Sequence, residues 1–152
     1  MHVRPVAAGE LPELLALIAA YQRFYAVAEP DEERNTAFFA RFLAPSEAGM
    51  LLGAFDGEAV PAAQGFACLY WTFSSVSASD VVLLNDLYVR PECRGSGLAE
   101  ALIAAARALA RDRGAAYLRW YTAPDNRQAQ RLYGRVGARR SAWLEYELEL
   151  GS

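Results

Sequence analysis

Two short stretches of this 152-residue chain hold residue types that can do chemistry. In "LLNDLYV", residues 83–89, an amide and a carboxylate, Asn85 and Asp86, interrupt an apolar run. A carboxylate there can take a proton, directly or through a bound water. In "RGSGLAEAL", residues 94–102, Arg94, Gly95, Ser96 and Gly97 stand at the mouth of an Ala/Leu-rich segment. Glycine lets a backbone approach a ligand closely and adopt positive φ without steric penalty. The first N–H groups of a helix lack intrahelical partners and lie at the positive end of its dipole. Together these features bind a pyrophosphate, and Arg94 adds charge. A tight turn that merely needs glycine would read the same way from these residues alone.

The elements around them follow from periodicity. "MHVRPV" suits a short first strand. "ELPELLALIAAYQRFY" spaces Leu11, Leu14, Leu15, Ile18 and Ala19 as one helical face. "EPDEERNTAFFARFLAP" predicts a second helix, started by Pro30 and Asp31 and closed by Pro45. "GMLLGAFDGEAV" predicts a strand running into a hairpin turn at Asp56-Gly57. "AAQGFACLYWTFS" and "VVLLNDLYV" are strands joined by the polar link "SVSAS". The segment after Gly97 is a helix with Leu98, Leu102, Ile103, Ala106, Leu109 and Ala110 on one side and Gly114 at its end. "AAYLRWYTA" predicts a strand, "DNRQAQRLYGRV" a helix started by Asp125 or Asn126, and the alternating "SAWLEYELEL" a last strand. The order β-α-α-β-β-β-α-β-α-β implies a mixed α/β fold in one domain, residues 1–152. Its sheet is mostly an antiparallel meander with one parallel crossover, covered by helices on both faces.

Composition narrows the functions. An apolar content of 54% against 22% charged residues suits a folded globular chain and not a disordered one. No apolar run reaches membrane-spanning length, and the N-terminus lacks a signal-peptide design, so the expected location is cytoplasmic. His2 is the only histidine and Cys68 and Cys93 the only cysteines, which disfavours a metal site or a Cys-His dyad. All 15 basic residues are arginine, so lysine Schiff-base chemistry and a Walker phosphate loop are excluded. Residues 1–89 carry net charge −7 and residues 90–152 carry +4, consistent with a second half that meets an anion and a first half that meets a cation. Overall acidity without a basic run disfavours nucleic acid. A dinucleotide fingerprint also fits badly, because Glu100 stands where its third glycine belongs.

"LYVRPECRGSGLAEAL" resembles the acyl-CoA-binding signature of the GNAT N-acetyltransferase superfamily, Arg/Gln-x-x-Gly-x-Gly/Ala, here Arg94-Gly95-Ser96-Gly97-Leu98-Ala99. "APDNRQAQRLYGRVGAR" is similar to its second motif through Asn126, Ala129, Tyr133 and Gly137. The element order matches that family, so the likeness covers essentially the whole chain. It implies a sheet splayed between its fourth and fifth strands by a bulge, and a phosphate clasp from the backbone of Gly95 to Glu100. Backbone groups of Leu87, Tyr88 and Val89 would hold the acetyl carbonyl and pantetheine arm of acetyl-CoA. Asn126 and Ala129 would touch the pantetheine, and Tyr133 would face the thioester sulfur. The implied reaction is acetyl transfer from acetyl-CoA to a primary amine, with no metal and no covalent enzyme intermediate.

Such a reaction needs a base for an amine of pKa about 10.4 and an acid for the leaving thiolate. Motif position makes Tyr133 the candidate acid. "LLNDLYV" resembles the polyamine and thialysine acetyltransferase-like branch, in which Glu-Asp precedes the hydrophobic tripeptide; here the Glu position is Asn85. Asp86 is the remaining candidate base, with Asn85 orienting water or substrate. Strand alternation would point the two to opposite faces. Family likeness places the acceptor against the first two helices, where Tyr21, Phe24 and Tyr25 precede Glu29-Pro30-Asp31. Aromatic faces with carboxylates suit an ammonium group, although the same residues suit a helix core and a helix start. The expected acceptor is a small-molecule amine: a polyamine, amino acid or related metabolite. A protein amine stays open as acceptor, as does a non-catalytic acyl-CoA-binding role on the same scaffold. A homodimer is also expected, paired through the C-terminal strand.

Overall fold

A computed structural model describes residues 2–56 and 62–151 of the chain. By internal contacts these divide into two units, Met1–Tyr121 and Thr122–Ser152.

The first unit contains β1 (His2–Pro5), α1 (Leu11–Phe24), α2 (Glu32–Phe39), β2 (Gly49–Asp56), β3 (Ala62–Ser74), β4 (Ser79–Val89), α3 (Leu98–Asp112) and β5 (Leu118–Arg119). The strands form one five-stranded sheet in the order β1-β2-β3-β4-β5. Pairing is antiparallel up to β4, and β4 with β5 is parallel. That parallel step is the crossover whose return path is α3, as the element order predicts. The expected Asp56-Gly57 turn falls outside the described residues.

Alternation along β3 divides the sheet into two faces. Phe66 and Cys68 join Leu14, Leu17 and Ile18 of α1 and Phe39 of α2 in one buried cluster. Gly65, on the opposite face, looks onto Leu102 of α3. Leu98, Leu102, Ile103, Ala106 and Ala110 of α3 are buried, the stripe that the spacing predicts apart from Leu109. In α1 the buried residues are Leu11, Leu14, Leu17 and Ile18, so Leu17 joins the predicted face while Leu15 and Ala19 are only half-buried. Helices therefore cover both faces of the sheet.

Two predicted strands need correction. "AAYLRWYTA" yields only the two-residue β5. "SAWLEYELEL" takes no strand pairing among the described residues, and its alternating Leu144, Tyr146, Leu148 and Leu150 are 80–96% exposed. Alternation prepares a segment for a sheet, but only a partner edge makes it a strand.

The second unit is organised around α4 (Arg127–Arg135). Asn126 caps it, its Oδ1 accepting the Ala129 N–H at 3.1 Å. Gly137 ends it at φ 81°, and the Ala138 N–H returns to the Tyr133 carbonyl at 3.0 Å. The residues of the second motif thus also punctuate this helix.

Candidate active site

The turn into α3 has the geometry of an anion clasp. Gly95 and Gly97 adopt φ of +78° and +85°, a region costly for any residue with a Cβ. A Cβ built on either would meet nothing within 4 Å, so space inside the protein does not call for glycine there. Gly97 is the N-cap of α3, and no side chain occupies the cap. Among the described residues, the N–H groups of Gly95, Ser96, Gly97, Leu98 and Ala99 find no backbone acceptor. Ser96 Oγ donates to the Cys93 carbonyl at 2.6 Å, and Arg94 Nε to the Val89 carbonyl at 3.0 Å. The loop is held by its own residues while its amides stay available. That arrangement fits a diphosphate.

Beside it, the C-terminal part of β4 has no strand partner on the side of β5 among the described residues. β5 pairs only with Val82 and Leu83. The Arg90 N–H donates to the Gln64 carbonyl, which fixes the parity of the strand. By that alternation Tyr88 and Asp86 turn their backbone groups to β3, while Leu87 and Val89 turn theirs outward. An extended arm can be hydrogen-bonded at such an edge as an added strand.

The β3–β4 register shifts at Cys68/Leu69, where Cys68 faces Asp86 and Leu69 faces Leu84. Asn85 is therefore the extra residue of a bulge, and this overturns the expectation of opposite faces. Asn85 Nδ2 donates to the Asp86 carboxylate at 3.1 Å and to the Tyr70 hydroxyl at 3.0 Å. Both side chains lie on the α1/α2 face. Asp86 is 7% exposed, whereas Asn85 is exposed. Burial pushes the Asp86 carboxyl above the usual carboxylate range, and hydrogen bonds from Tyr21 and Asn85 pull part of the way back. Burial and the neighbouring Asp86 charge push the Tyr21 and Tyr70 hydroxyls up, so both remain protonated donors. The Cys68 thiol, across the strand pair from Asp86, is pushed up in the same way and is no nucleophile at ordinary pH.

Asp86 opens into a cleft of about 660 Å³ that Tyr21, Gln22, Arg34, Asn35, Arg41 and Tyr70 help to line. Gln22 and Asn35 exchange two hydrogen bonds of 2.8 Å, tying α1 to α2 across its wall. Tyr21 lines the cleft, packed edge-on against Phe66 at 5.6 Å. Phe24 and Tyr25, 62% and 59% exposed, are neither core nor cleft lining. Glu29, Pro30 and Asp31 border the cleft, and Asp31 also caps α2 by accepting the Arg34 N–H. The reading of those residues as a helix start therefore holds. Gln22, Asn35, Arg34 and Arg41 escaped the sequence reading, since no local pattern links residues on two helices to a carboxylate in a later strand. Tyr133 lies in α4, within the second unit.

A family model described as "Acetyltransferase (GNAT) family" matches residues 14–138. The chain belongs to that family. It is 34% identical over 137 residues to an uncharacterized N-acetyltransferase, YhfO, of Bacillus subtilis, covering 90% of this chain and 89% of that protein. It is 35% identical over 116 residues to the D-amino-acid N-acetyltransferase HPA3 of Saccharomyces cerevisiae, covering 76% and 71%. A crystal structure of a probable acetyltransferase superposes with TM-score 0.87 at 29% identity, covering 100% of this chain and 99% of that one. As a GNAT protein the chain is an acyltransferase, and the antiparallel sheet with one parallel edge pair is the fold its motifs imply. No described helix is long and apolar enough to cross a membrane.

Proposed function

We propose that this enzyme transfers the acetyl group of acetyl-CoA directly to a primary amine of a small molecule, a polyamine, an amino acid or a related metabolite. The observation that carries the reading is the position of Asp86. It is a buried carboxylate lining a cleft, next to the stretch of β4 that has no pairing with β5. The outward N–H and C=O groups of Leu87 and the outward N–H of Val89, whose carbonyl already accepts from Arg94 Nε, hold the acyl arm, and the backbone from Gly95 to Glu100 clasps its diphosphate. Tyr88 contributes its ring rather than its backbone, under the Arg94 guanidinium at 5.5 Å.

The acceptor enters between α1 and α2. Its ammonium meets Asp86, with the Tyr21 and Tyr70 hydroxyls close by. Asp86, directly or through one water, first takes a proton from the ammonium; the freed lone pair attacks the thioester carbon, the nitrogen then loses its second proton to solvent, and Asn85 holds the carboxylate or that water in line. The sulfur leaves as thiolate, and Tyr133 returns a proton to it. Support for Tyr133 is its place in the second motif, and Asn126 and Ala129 are assigned to the pantetheine on the same ground.

The solved aminoglycoside N-acetyltransferase AAC(6')-Iy, in complex with CoA, has this fold at TM-score 0.83 and 21% identity. The yeast relative is named for D-amino acids and a bovine relative, 32% identical over 78 residues, for thialysine. Small amines are their common denominator. The decisive experiment follows thiol release from acetyl-CoA against a panel of amines. Amine-dependent release is expected; tight acetyl-CoA binding with no release from any amine would refute catalysis. The reading includes a cytoplasmic homodimer paired through residues 141–150, which sedimentation of the wild type and of Leu148→Glu will test.

A further inference from the structure

The charged groups around the cleft are not all acidic. Asp86, Glu29 and Asp31 line it, and so do Arg34 and Arg41. Asp31 is committed to capping α2. Arg41 forms no ion pair with any described carboxylate. Aromatic rings hold it instead, its guanidinium lying 5.4 Å from the Phe38 ring and 5.9 Å from the Phe42 ring. Such stacking leaves the N–H edge of a guanidinium free to donate. The Phe42 ring in turn stacks on Tyr70 at 5.2 Å. Arg41 is also close enough to Tyr70 to oppose the upward push on its hydroxyl. That hydroxyl accepts from Asn85, which also donates to Asp86. An exposed cation that makes no ion pair with a described carboxylate and a buried carboxylate therefore share one cleft with a single tyrosine.

We propose that Arg41 determines specificity by receiving the carboxylate of the acceptor, so that the amine presented to Asp86 belongs to an amino acid. The assignment rests on the reading of Asp86 as the group that meets the amine. An acceptor with opposite charges a few bonds apart satisfies both groups at once. A plain amine leaves Arg41 without a counter-ion, and a diamine brings a second cation towards it. The rival occupant is a diamine whose far ammonium turns to Glu29, the remaining acid of the lining.

The test uses pairs that differ only by the carboxylate: phenylalanine with phenethylamine, and lysine with cadaverine. Thiol release is measured for the wild-type chain, Arg41→Gln, Arg41→Lys and Glu29→Gln, and calorimetry measures the affinity of each compound apart from turnover. The wild type should favour the amino acid of each pair by about 10- to 100-fold, the usual weight of a charge-assisted hydrogen bond. Arg41→Gln should collapse that preference through KM more than kcat, and Arg41→Lys should restore part of it. Equal use of both members by the wild type would overturn the assignment. So would a loss in Arg41→Gln that is the same for both members, or a defect of Glu29→Gln confined to cadaverine. If no compound is turned over, calorimetry still decides. Arg41-dependent binding of the amino acids would uphold the carboxylate site while the proposed reaction fails, and equal binding within each pair would overturn it.

Discussion

Everything that gives residues 94–99 their shape lies within a few positions of them, whereas the cleft ending at Asp86 is assembled from α1, the loop after it, α2, β3 and β4. The loop needs two glycines at positive φ, a serine bonding back to Cys93 and a helix that starts on time. The cleft needs Tyr21, Asn35, Tyr70 and Asp86 to arrive from separate elements. A local site tolerates changes elsewhere in the molecule but not in its own backbone. A composite site has no indispensable turn, yet its chemistry depends on how deeply one carboxylate is buried.

The largest expected effect tests that last point. Asp86→Asn should lower kcat/KM by roughly 10²- to 10⁴-fold, the usual contribution of a general base. The wild-type pH profile should show an acidic limb above the ordinary carboxylate range, because burial raises the Asp86 pKa. That limb should be missing in Asp86→Asn, while affinity for acetyl-CoA is little changed. An unaltered pH profile would remove Asp86 from the reaction.

Next in size is the reciprocal experiment on the loop. Gly97→Ala puts a Cβ on a backbone at φ +85°, which costs roughly 1–2 kcal/mol. Acetyl-CoA affinity should fall by about tenfold or more, with the acidic limb left where it was. If the limb moves with the loop, the two regions are not separable.

Tyr21→Phe should have a smaller effect with a defined sign. The Tyr21 hydrogen bond holds the Asp86 pKa down, so its removal moves the acidic limb to higher pH. A loss of a few-fold in kcat/KM near neutrality should accompany the move, and high pH should recover it.

The smallest effect concerns stability. The Asp86 pKa is raised by folding, so the native state binds the proton more tightly than the unfolded chain. Its cost to stability is absent below the unfolded pKa of about 3.9, builds up as pH rises from there, and is complete above the folded value. Asp86→Asn should therefore melt higher than the wild type at neutral pH, by roughly 0.5–2 kcal/mol. The difference should close as pH falls towards the unfolded value. A lower melting temperature at neutral pH would mean that the carboxylate stabilises the fold.

Sequence reading was reliable where the information is local. β3 spans Ala62–Ser74 as its apolar run predicts, and α3 starts after Gly97 and stops at Gly114 through the N–H bond of Gly114 to Arg111. Asn126 was correctly one of the two candidates for starting α4. Reading failed where a partner decides. Residues 141–150 alternate perfectly well and still pair with nothing in the described chain, and a bulge inverted the inferred relation of Asn85 to Asp86. A bulge depends on the register between two strands, which one strand's sequence does not contain.

The amino-acid order alone determined the positive-φ turn, the open amides at the head of α3 and the periodic faces that bury the helices, because backbone conformation and hydrophobic periodicity act over a few residues. Tertiary structure alone decided that Asp86 is buried, that Asn85 shares its face and that Arg41 lies near the same tyrosine. Burial and charge proximity are properties of neighbours in space, and here those neighbours are far apart along the chain.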